Sequence, residues 1–357
     1  MVHDGPEPKS QNNQHDILEV DARLKSLGWN QYFMDQVVST DLGETPPVRI
    51  MQVHRSNLHV VGVNVDIKIP SLYEVAVGDW LLLNQGDPRS SKVLKRKSLL
   101  KRRAAGHDRK EQLIAANLDT AFIVSSCNSD FNLARLERYI AMINEAEITP
   151  VIILTKFDLN SDLTNFSQLA SKISERVAVI NVDARSPSAK EQLAPWCQLG
   201  QTVAFLGSSG VGKSTLTNTL AGNPLINTQA VREADDKGRH TTTSRQLHIM
   251  PQGCAVIDTP GMRELQLTDA ATGIKETFAD LHELKQSCRF NDCSHDHEPG
   301  CAIQANITSG LIDAIRVNRW LKLVSEDQEN TKVLAKRFSK ENTTKDQIGS
   351  GQKHKQK

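Results

Sequence analysis

The spacing of apolar residues changes character along this chain. Between about residues 47 and 97, short stretches alternate between apolar and polar positions and are separated by turn residues, which predicts closely spaced short strands. From residue 112 onward, short apolar runs alternate with longer stretches of helical spacing, such as residues 133–146. Strands that alternate with helices form a parallel sheet, whose ligands bind at the carboxyl ends of the strands. The pattern therefore predicts a small β-barrel followed by an α/β domain.

The same changes of pattern divide the chain into five segments. For the second segment, an OB-type barrel of five strands is favoured, while an SH3-like barrel or a purely structural small barrel stays open. The predicted multidomain arrangement is a disordered and helical N-terminal extension (1–44), the OB-type barrel (45–107), an α/β domain (108–267), a small helical domain (268–330) and a basic disordered tail (331–357).

The net charge of +1 hides a segregation of charge along the chain. A basic run extends from Arg89 to Lys110, and a second basic stretch runs from Lys332 to Lys357. Clustered cations suit a polyanion such as nucleic acid, whereas a solvated face and a disordered tail are the plain alternative.

The N-terminus lacks the apolar core of a secretory signal, and the chain has no apolar run long enough to cross a bilayer. We therefore expect a cytoplasmic protein without a membrane span.

The most specific motif is a phosphate-binding loop between a predicted strand and a predicted helix. An apolar run precedes the loop, and Leu216 and Leu220 follow it at helical spacing before Gly222. In this context the loop N–H groups bind phosphates, the lysine reaches the β- and γ-phosphates, and the next hydroxyl holds Mg²⁺. A Gly/Ser turn with an incidental lysine is the alternative. The motif consists of Gly207, Ser208, Ser209, Gly210, Val211, Gly212, Lys213, Ser214 (the magnesium ligand) and Thr215.

A base-recognition motif follows the second buried strand of the α/β pattern. Thr155, Lys156, Phe157 and Asp158 fit [NT]-K-x-D, in which the carboxylate accepts hydrogen bonds from N1–H and the exocyclic amine of guanine. Adenine lacks these donors, and the alkyl stem of the lysine lies along the base plane. A backbone N–H near Ala184, after the next strand, is expected to meet guanine O6. The sequence therefore predicts binding of GTP and GDP.

Two further segments are expected to sense the γ-phosphate. A D-x-x-G motif supplies an aspartate for Mg²⁺ and a glycine N–H for the phosphate, and a threonine-rich loop supplies one more Mg²⁺ ligand that the sequence does not single out. Met262 occupies the position where many GTPases have the glutamine that orients the attacking water. We therefore expect a histidine or a binding partner to take over this role, and GTP hydrolysis by the free protein to be slow. The candidate catalytic residues are His240, Thr241, Thr242, Thr243, Asp258 and Gly261.

Three cysteines and a histidine cluster after the last predicted strand. Cys288, Cys293, His295 and Cys301 are spaced C-x₄-C-x-H-x₅-C, which is typical of a structural tetrahedral zinc site with all four positions filled. His297 is the alternative histidine ligand. Chance clustering or thiol redox chemistry are the alternatives to a metal.

The motifs occur in an unusual order, because the base-recognition motif precedes the phosphate loop. This order predicts a circularly permuted GTPase domain. With the Cys/His cluster and the segment 112–119, it makes the chain resemble the ribosome small-subunit-dependent GTPase A family (RsgA, also called YjeQ) from about residue 45 to 325. The chain departs from the family pattern at Thr155, where asparagine is usual, and at Asp183, where serine is usual.

The resemblance implies an OB-fold, a permuted GTPase domain and a domain with one structural zinc ion. It also implies that GTP hydrolysis is stimulated by the small (30S) ribosomal subunit and its rRNA during late maturation of the subunit and drives release. We expect a monomer. The alternatives are an RNA-binding module in which the nucleotide is structural and a GTPase that acts on another RNA such as tRNA. A metabolic kinase has no evident use for a barrel and a zinc module.

Overall fold

A computed structural model describes residues 22–37, 42–103, 111–159, 163–225, 245–258 and 270–331. The helices are α1 (22–26), α2 (Gln31–Met34), α3 (Leu133–Glu145), α4 (Leu163–Ser171), α5 (Ser188–Leu193), α6 (Lys213–Ala221), α7 (Ala271–Thr277), α8 (Ala279–Lys285), α9 (Ala302–Thr308) and α10 (314–331). The strands are β1 (Pro47–Val53), β2 (Asn57–Gly62), β3 (Val65–Pro70), β4 (Trp80–Leu82), β5 (Lys92–Val93), β6 (Leu99–Arg103), β7 (Glu111–Ala116), β8 (Thr120–Ser126), β9 (Thr149–Thr155), β10 (Ala178–Asn181), β11 (Thr202–Leu206), β12 (Arg245–Ile249) and β13 (Ala255–Asp258). None of these helices is long and apolar enough to cross a membrane, as far as the described ranges go.

The α/β part of the chain contains a largely parallel sheet, as its alternating pattern predicts. Its strands run in the order β10-β9-β8-β11-β13, all parallel, and β12 adds antiparallel to β13. Strands β8 and β11 are buried along their whole length, because they lie in the middle of the sheet. The strand β12 has no counterpart among the elements predicted from the sequence. The carboxyl ends of β9 and β11, which carry the two nucleotide motifs, lie at the same edge of the sheet.

The N-terminal strands form an antiparallel arrangement in the order β3-β2-β1-β4-β5. Their apolar side chains alternate inward and build a core of their own, as half-buried antiparallel strands do. Strands β6 and β7 pair separately as a hairpin. That these strands close into an OB-type barrel stays a prediction. The core residues are Val48, Ile50, Leu58, Val60, Ile69, Leu81 and Leu83.

Strand β12 joins the parallel strands and the N-terminal antiparallel strands into one sheet, because it pairs with β13 on one side and with β1 on the other. Gln246 lies opposite Asp258 of the D-x-x-G motif and also opposite Gln52 of β1. The N-terminal strands therefore continue directly into the strands that carry the nucleotide motifs, at the strand that follows the threonine-rich loop.

A buried arginine reinforces this junction. The Arg49 guanidinium, on β1, donates from Nη2 to Thr202 Oγ1 of β11 at 2.8 Å and from Nη1 to the Leu27 carbonyl. Burial lowers the pKa of Arg49 to about 10, against the opposing influence of the aspartates Asp119 and Asp79. One cation thus connects the N-terminal segment, strand β1 and the parallel strand β11.

The described residues fall into two compact units. The first contains the chain up to Phe131 and from Ala146 to the end of β13. The second contains helix α3 together with the residues after 270. In the second unit Arg319 on α10 donates from Nε and Nη2 to the fully buried carboxylate of Glu137, at 2.7 and 2.9 Å. This bidentate charged pair fixes α3 against α10.

Candidate nucleotide site and metal centre

The predicted phosphate loop connects β11 to α6, and two of its glycines are required by its geometry. Gly207 has a φ of +136°, and a Cβ there would lie 2.2 Å from the Val124 carbonyl oxygen of β8. Gly212 has a φ of +105° and caps the first turn of α6. A side chain at Gly207 would clash with the Val124 carbonyl, and any residue other than glycine at Gly212 would have a strained backbone. The loop therefore exposes backbone N–H groups at a helix N-terminus, where an anion binds favourably.

The lysine of the motif lies across this loop. Lys213 is half-buried, and its Nζ donates to the Gly207 carbonyl at 2.8 Å and to the Ser208 carbonyl. The next two residues, Ser214 and Thr215, are half-buried in the first turn of α6. An ammonium group and two hydroxyls are thus held at one end of the loop, which is the donor set that a triphosphate with Mg²⁺ requires.

The base-recognition motif lies against the phosphate loop. Thr155, at the end of β9, is fully buried, and its Oγ1 donates to the Val211 carbonyl of the phosphate loop at 2.7 Å. A Cβ on Gly212 would lie 3.9 Å from Thr155 Cγ2 and 3.5 Å from Ala184 Cβ. The three segments predicted to contact the guanine and the phosphates therefore meet in one place.

The other residues predicted to contact the base lie in the turn after β9 and in the loop after β10. Lys156 adopts a left-handed φ of +55°, Phe157 begins a short 3₁₀ turn, and Asp158 in that turn is exposed to solvent. On the neighbouring loop, Asp183 Oδ1 accepts from the Arg185 N–H at 3.0 Å. The carbonyl of Ala184 accepts from Thr219 Oγ1 of α6 at 2.7 Å, which fixes this loop to the helix after the phosphate loop.

Thr155→Val should weaken nucleotide binding about tenfold. The change keeps the shape of the side chain but leaves the buried Val211 carbonyl without its donor. This destabilises the binding conformation of the phosphate loop by about 1–2 kcal/mol. Thr155→Ser keeps a hydroxyl and serves as the matched control. The measurement is the Kd of a fluorescent GDP analogue. Equal Kd values for the valine variant and the wild type would show that this hydrogen bond does not support the loop.

The structure places only part of the predicted switch residues. His240, Thr241, Thr242, Thr243 and Gly261 lie outside the described residues. Asp258 is the last residue of β13, next in the sheet to the strand of the phosphate loop. The roles of Asp258 and of these five residues in binding Mg²⁺ and the γ-phosphate and in hydrolysis stay predictions.

The Cys/His cluster is assembled in the second unit. The donor atoms of Cys288, Cys293, His295 and Cys301 all lie within 4.8 Å of one another. His295 Nδ1 is 3.6 Å from the Sγ atoms of Cys288 and Cys301, and these two sulfurs are 4.0 Å apart. A tetrahedral zinc site with Zn–S bonds of about 2.3 Å brings its sulfurs to about 3.8 Å. The donors therefore fit one such ion.

The loop around the cluster selects its histidine. His295 is buried, stacks near the ring of Trp320 and has its pKa lowered by burial, which favours the neutral imidazole that binds metals. His297 points away, with its side chain 90 % exposed. The Glu298 carboxylate accepts from the backbone N–H groups of Ser294, Asp296 and His297 and so holds the loop. The geometry thus brings His295, and not the alternative His297, to the three cysteines.

Cys301→Ser should destabilise the second unit by more than about 4 kcal/mol if the cluster holds a structural metal, because ligand loss removes metal-binding free energy from folding. Cys197→Ser, at a buried cysteine of the other unit, is the matched control. Hydrogen exchange of α9 and α10 with and without a strong chelator measures the effect. Unchanged protection after chelation and in Cys301→Ser would exclude a structural metal.

Part of the basic run serves the fold. Arg96 forms an ion pair with the fully buried Asp79 at 2.7 Å, and Lys97 forms one with Asp119 at 2.6 Å. Lys92 and Lys95 are exposed. Two cations of this run are therefore held in ion pairs within the chain, while Lys92 and Lys95 lie on the surface, a division that composition alone does not reveal.

Taken together, a phosphate loop on the central strand and a base motif hydrogen-bonded to it from an earlier strand define a P-loop GTPase with a circularly permuted sheet. The RsgA GTPase family model matches residues 93–268. A relative from Mesorhizobium japonicum named small ribosomal subunit biogenesis GTPase RsgA is 48% identical, over 87% of this chain and 91% of its own. One from Vibrio parahaemolyticus, named small ribosomal subunit biogenesis GTPase RsgA 2, is 45% identical, over 89% and 90%. The chain belongs to the RsgA GTPase family, which confirms the resemblance seen in the motifs.

Solved structures show the same fold. YjeQ from Thermotoga maritima has 24% identity and a TM-score of 0.58, over 78% of this chain and 97% of its own. YloQ, described as a circularly permuted GTPase, has 21% identity and a TM-score of 0.54, over 80% and 96%. The permuted fold predicted from the motif order is thereby confirmed. An ABC transporter model also matches residues 192–355, a range that includes the phosphate loop shared by many nucleotide-binding proteins.

Proposed function

We propose that this GTPase binds the small (30S) ribosomal subunit and assists its late maturation, with GTP hydrolysis stimulated by the subunit and driving release. Relatives at 45–48% identity carry the name small ribosomal subunit biogenesis GTPase. The observation that supports the nucleotide part is the hydrogen bond from Thr155 to Val211, since it places the base motif directly against the phosphate loop. A ribosomal partner also implies a cytoplasmic protein, and we propose that it acts as a monomer.

In this proposal each motif contacts a different part of the bound nucleotide. Asp158 accepts from the guanine edge, Lys156 and Phe157 flank the base, and the Ala184 N–H donates to O6. The backbone of Gly207 to Gly212 and the Lys213 ammonium hold the phosphates. Ser214, with Asp258 and one threonine of 241–243, supplies the oxygens for Mg²⁺, and the bound ion would neutralise charge on the phosphates.

We propose that hydrolysis is slow in the free protein. Position 262 is a methionine, which has no group to orient water, so His240 or an RNA or protein group of the subunit fulfils that role. In the GTP state the Gly261 N–H would contact the γ-phosphate, and the threonine would ligate Mg²⁺ only while that phosphate is present. Loss of these contacts after hydrolysis would release the segment before β12 and the segment after β13.

The zinc cluster has a structural part in this proposal. Cys288, Cys293, His295 and Cys301 would fill all four positions of a zinc ion and hold the loop between α8 and α9. The ion would supply no chemistry to GTP hydrolysis, because no coordination position is left for a substrate.

The experiment is GTP turnover with and without purified small subunits. The proposal expects slow turnover alone and stimulation by at least an order of magnitude with small subunits, but not with large subunits or tRNA. Stimulation by tRNA instead would identify a different RNA target. Nucleotide that is bound but never hydrolysed under any of these conditions would favour an RNA-binding module with a structural nucleotide.

A further inference from the structure

Two buried cysteines of the first unit lie next to each other, and neither belongs to the motifs of the nucleotide site. Cys197 follows helix α5, and Cys254 immediately precedes strand β13. Their exposed fractions are 4 % and 0 %, and both side chains belong to the same apolar core of the parallel sheet. The Cys197 thiol donates a hydrogen bond to the Cys254 sulfur. The fold therefore brings together two thiols from separate segments of the chain.

Backbone hydrogen bonds hold these two segments against each other. The Gly200 N–H donates to the Gly253 carbonyl at 2.9 Å, and the Ala255 N–H donates to the Gln201 carbonyl at 2.8 Å. The turn between β12 and β13 is closed as well, because the Gly253 N–H donates to the Met250 carbonyl at 2.8 Å. The proximity of the two thiols is therefore imposed by paired backbone segments.

The two thiols differ in acidity. The hydrogen bond from Cys197 lowers the pKa of Cys254. The Gln252 amide acts in the same direction, because its Nε2 donates to the Cys254 sulfur at 3.7 Å. The same hydrogen bond between the thiols, together with burial, raises the pKa of Cys197. Since the thiolate is the form of cysteine that attacks an oxidant, Cys254 is the sulfur that reacts first and Cys197 is the neighbour that can resolve the product.

We propose that Cys197 and Cys254 form an intramolecular disulfide when the protein is exposed to hydrogen peroxide. The Cys254 thiolate attacks one peroxide oxygen, the O–O bond breaks, and a sulfenic acid and hydroxide form. The Cys197 sulfur then attacks the sulfenic sulfur, so that the S–S bond forms while the S–O bond breaks and a second hydroxide leaves. Each hydroxide takes up one of the two thiol protons. Two thiols and one peroxide thus give one disulfide and two water molecules, and the peroxide gains the two electrons that the sulfurs lose.

This disulfide would enclose the phosphate-binding part of the chain. Residues 198–253 lie between the two cysteines and include β11, the phosphate loop, α6 and β12. A cross-link that closes a long loop restricts the unfolded chain and so stabilises the folded one. Both cysteines precede the strands β11 and β13, whereas the nucleotide motifs lie at the carboxyl ends of the strands. The oxidised protein should therefore resist unfolding of this region more strongly and bind GDP with unchanged affinity.

Peroxide treatment of the full-length protein tests the inference. Remaining thiols are blocked with iodoacetamide, peptide mass spectrometry locates the disulfides, and hydrogen exchange of β11 and β13 is compared between oxidised and reduced samples of each variant. We expect a disulfide between Cys197 and Cys254 that a thiol reductant reverses, and exchange that is at least about tenfold slower in the oxidised sample. Cys197→Ser and Cys254→Ser should lose both effects. Cys127→Ser, which removes a buried cysteine of the same unit outside the pair, should keep both.

Several results would contradict the inference. Cys197 and Cys254 that stay reduced at peroxide concentrations sufficient to oxidise the Cys/His cluster would overturn it. Oxidation of Cys254 to a sulfinic acid without a disulfide would also overturn it, because Cys197 would then not reach the sulfenic sulfur. A disulfide between the two that leaves hydrogen exchange unchanged would refute the stabilising effect. None of these results depends on whether the protein acts on the small ribosomal subunit.

Discussion

Lys213→Ala is expected to lower the affinity for GTP by about two to three orders of magnitude and to abolish turnover at cellular nucleotide levels. The ammonium group lies over the phosphate loop, where it donates to the carbonyls of Gly207 and Ser208. With GTP bound it would donate to the β- and γ-phosphates instead. Charge-assisted hydrogen bonds contribute about 1.5–3 kcal/mol each, so two of them account for an effect of this size.

The matched control for this variant is Lys172→Ala, which removes an exposed lysine from the segment after α4. Equilibrium binding of a fluorescent GTP analogue gives the two affinities, and thermal unfolding verifies that both variants fold. Wild-type affinity in a folded Lys213→Ala variant would show that this loop does not bind the phosphates.

Asp158→Asn is expected to convert the base preference from guanine to xanthine. The carboxylate accepts from two donors of guanine, whereas an amide offers one donor that suits the C2 carbonyl of xanthine. Sites built on specific hydrogen bonds reject a mismatched analogue strongly, so we expect GTP affinity to fall by at least about 100-fold and XTP affinity to rise. Competition of GTP and XTP against a labelled nucleotide measures both changes.

A neighbouring carboxylate provides the control. Asp183 is also exposed on the base side, but its Oδ1 is occupied by the Arg185 N–H. Asp183→Asn should therefore leave the preference for GTP over XTP unchanged. A GTP preference that survives in Asp158→Asn would mean that another group reads the base.

The sequence predicted those features whose residues lie close together along the chain. The parallel strands of the α/β part, the glycines of the phosphate loop and the four residues of the Cys/His cluster are all local patterns, and each appears where its spacing indicated. The order of the two nucleotide motifs then predicted the permuted fold, because each motif follows a strand and parallel strands present their carboxyl ends at one edge.

The features that the sequence did not reveal depend on residues far apart in the chain. Arg49 bonds to Thr202, 153 positions away, and an arginine within a strand gives no sign that it will be buried. Strand β12 is short and half-buried, and its partners lie in two different segments. The sequence shows that Thr155 departs from the usual asparagine but not what the hydroxyl contacts. The structure shows that the hydroxyl bonds to the phosphate loop, which only the packing of β9 against that loop could show.

The central claim is that the base motif and the phosphate loop bind opposite ends of one guanine nucleotide. A crystal structure with a non-hydrolysable GTP analogue tests it most directly. We expect the guanine edge within hydrogen-bonding distance of the Asp158 carboxylate, and the phosphates of the same molecule enclosed by the loop from Gly207 to Thr215 with Lys213. A nucleotide whose phosphates occupy that loop while its base lies away from Asp158 would contradict it.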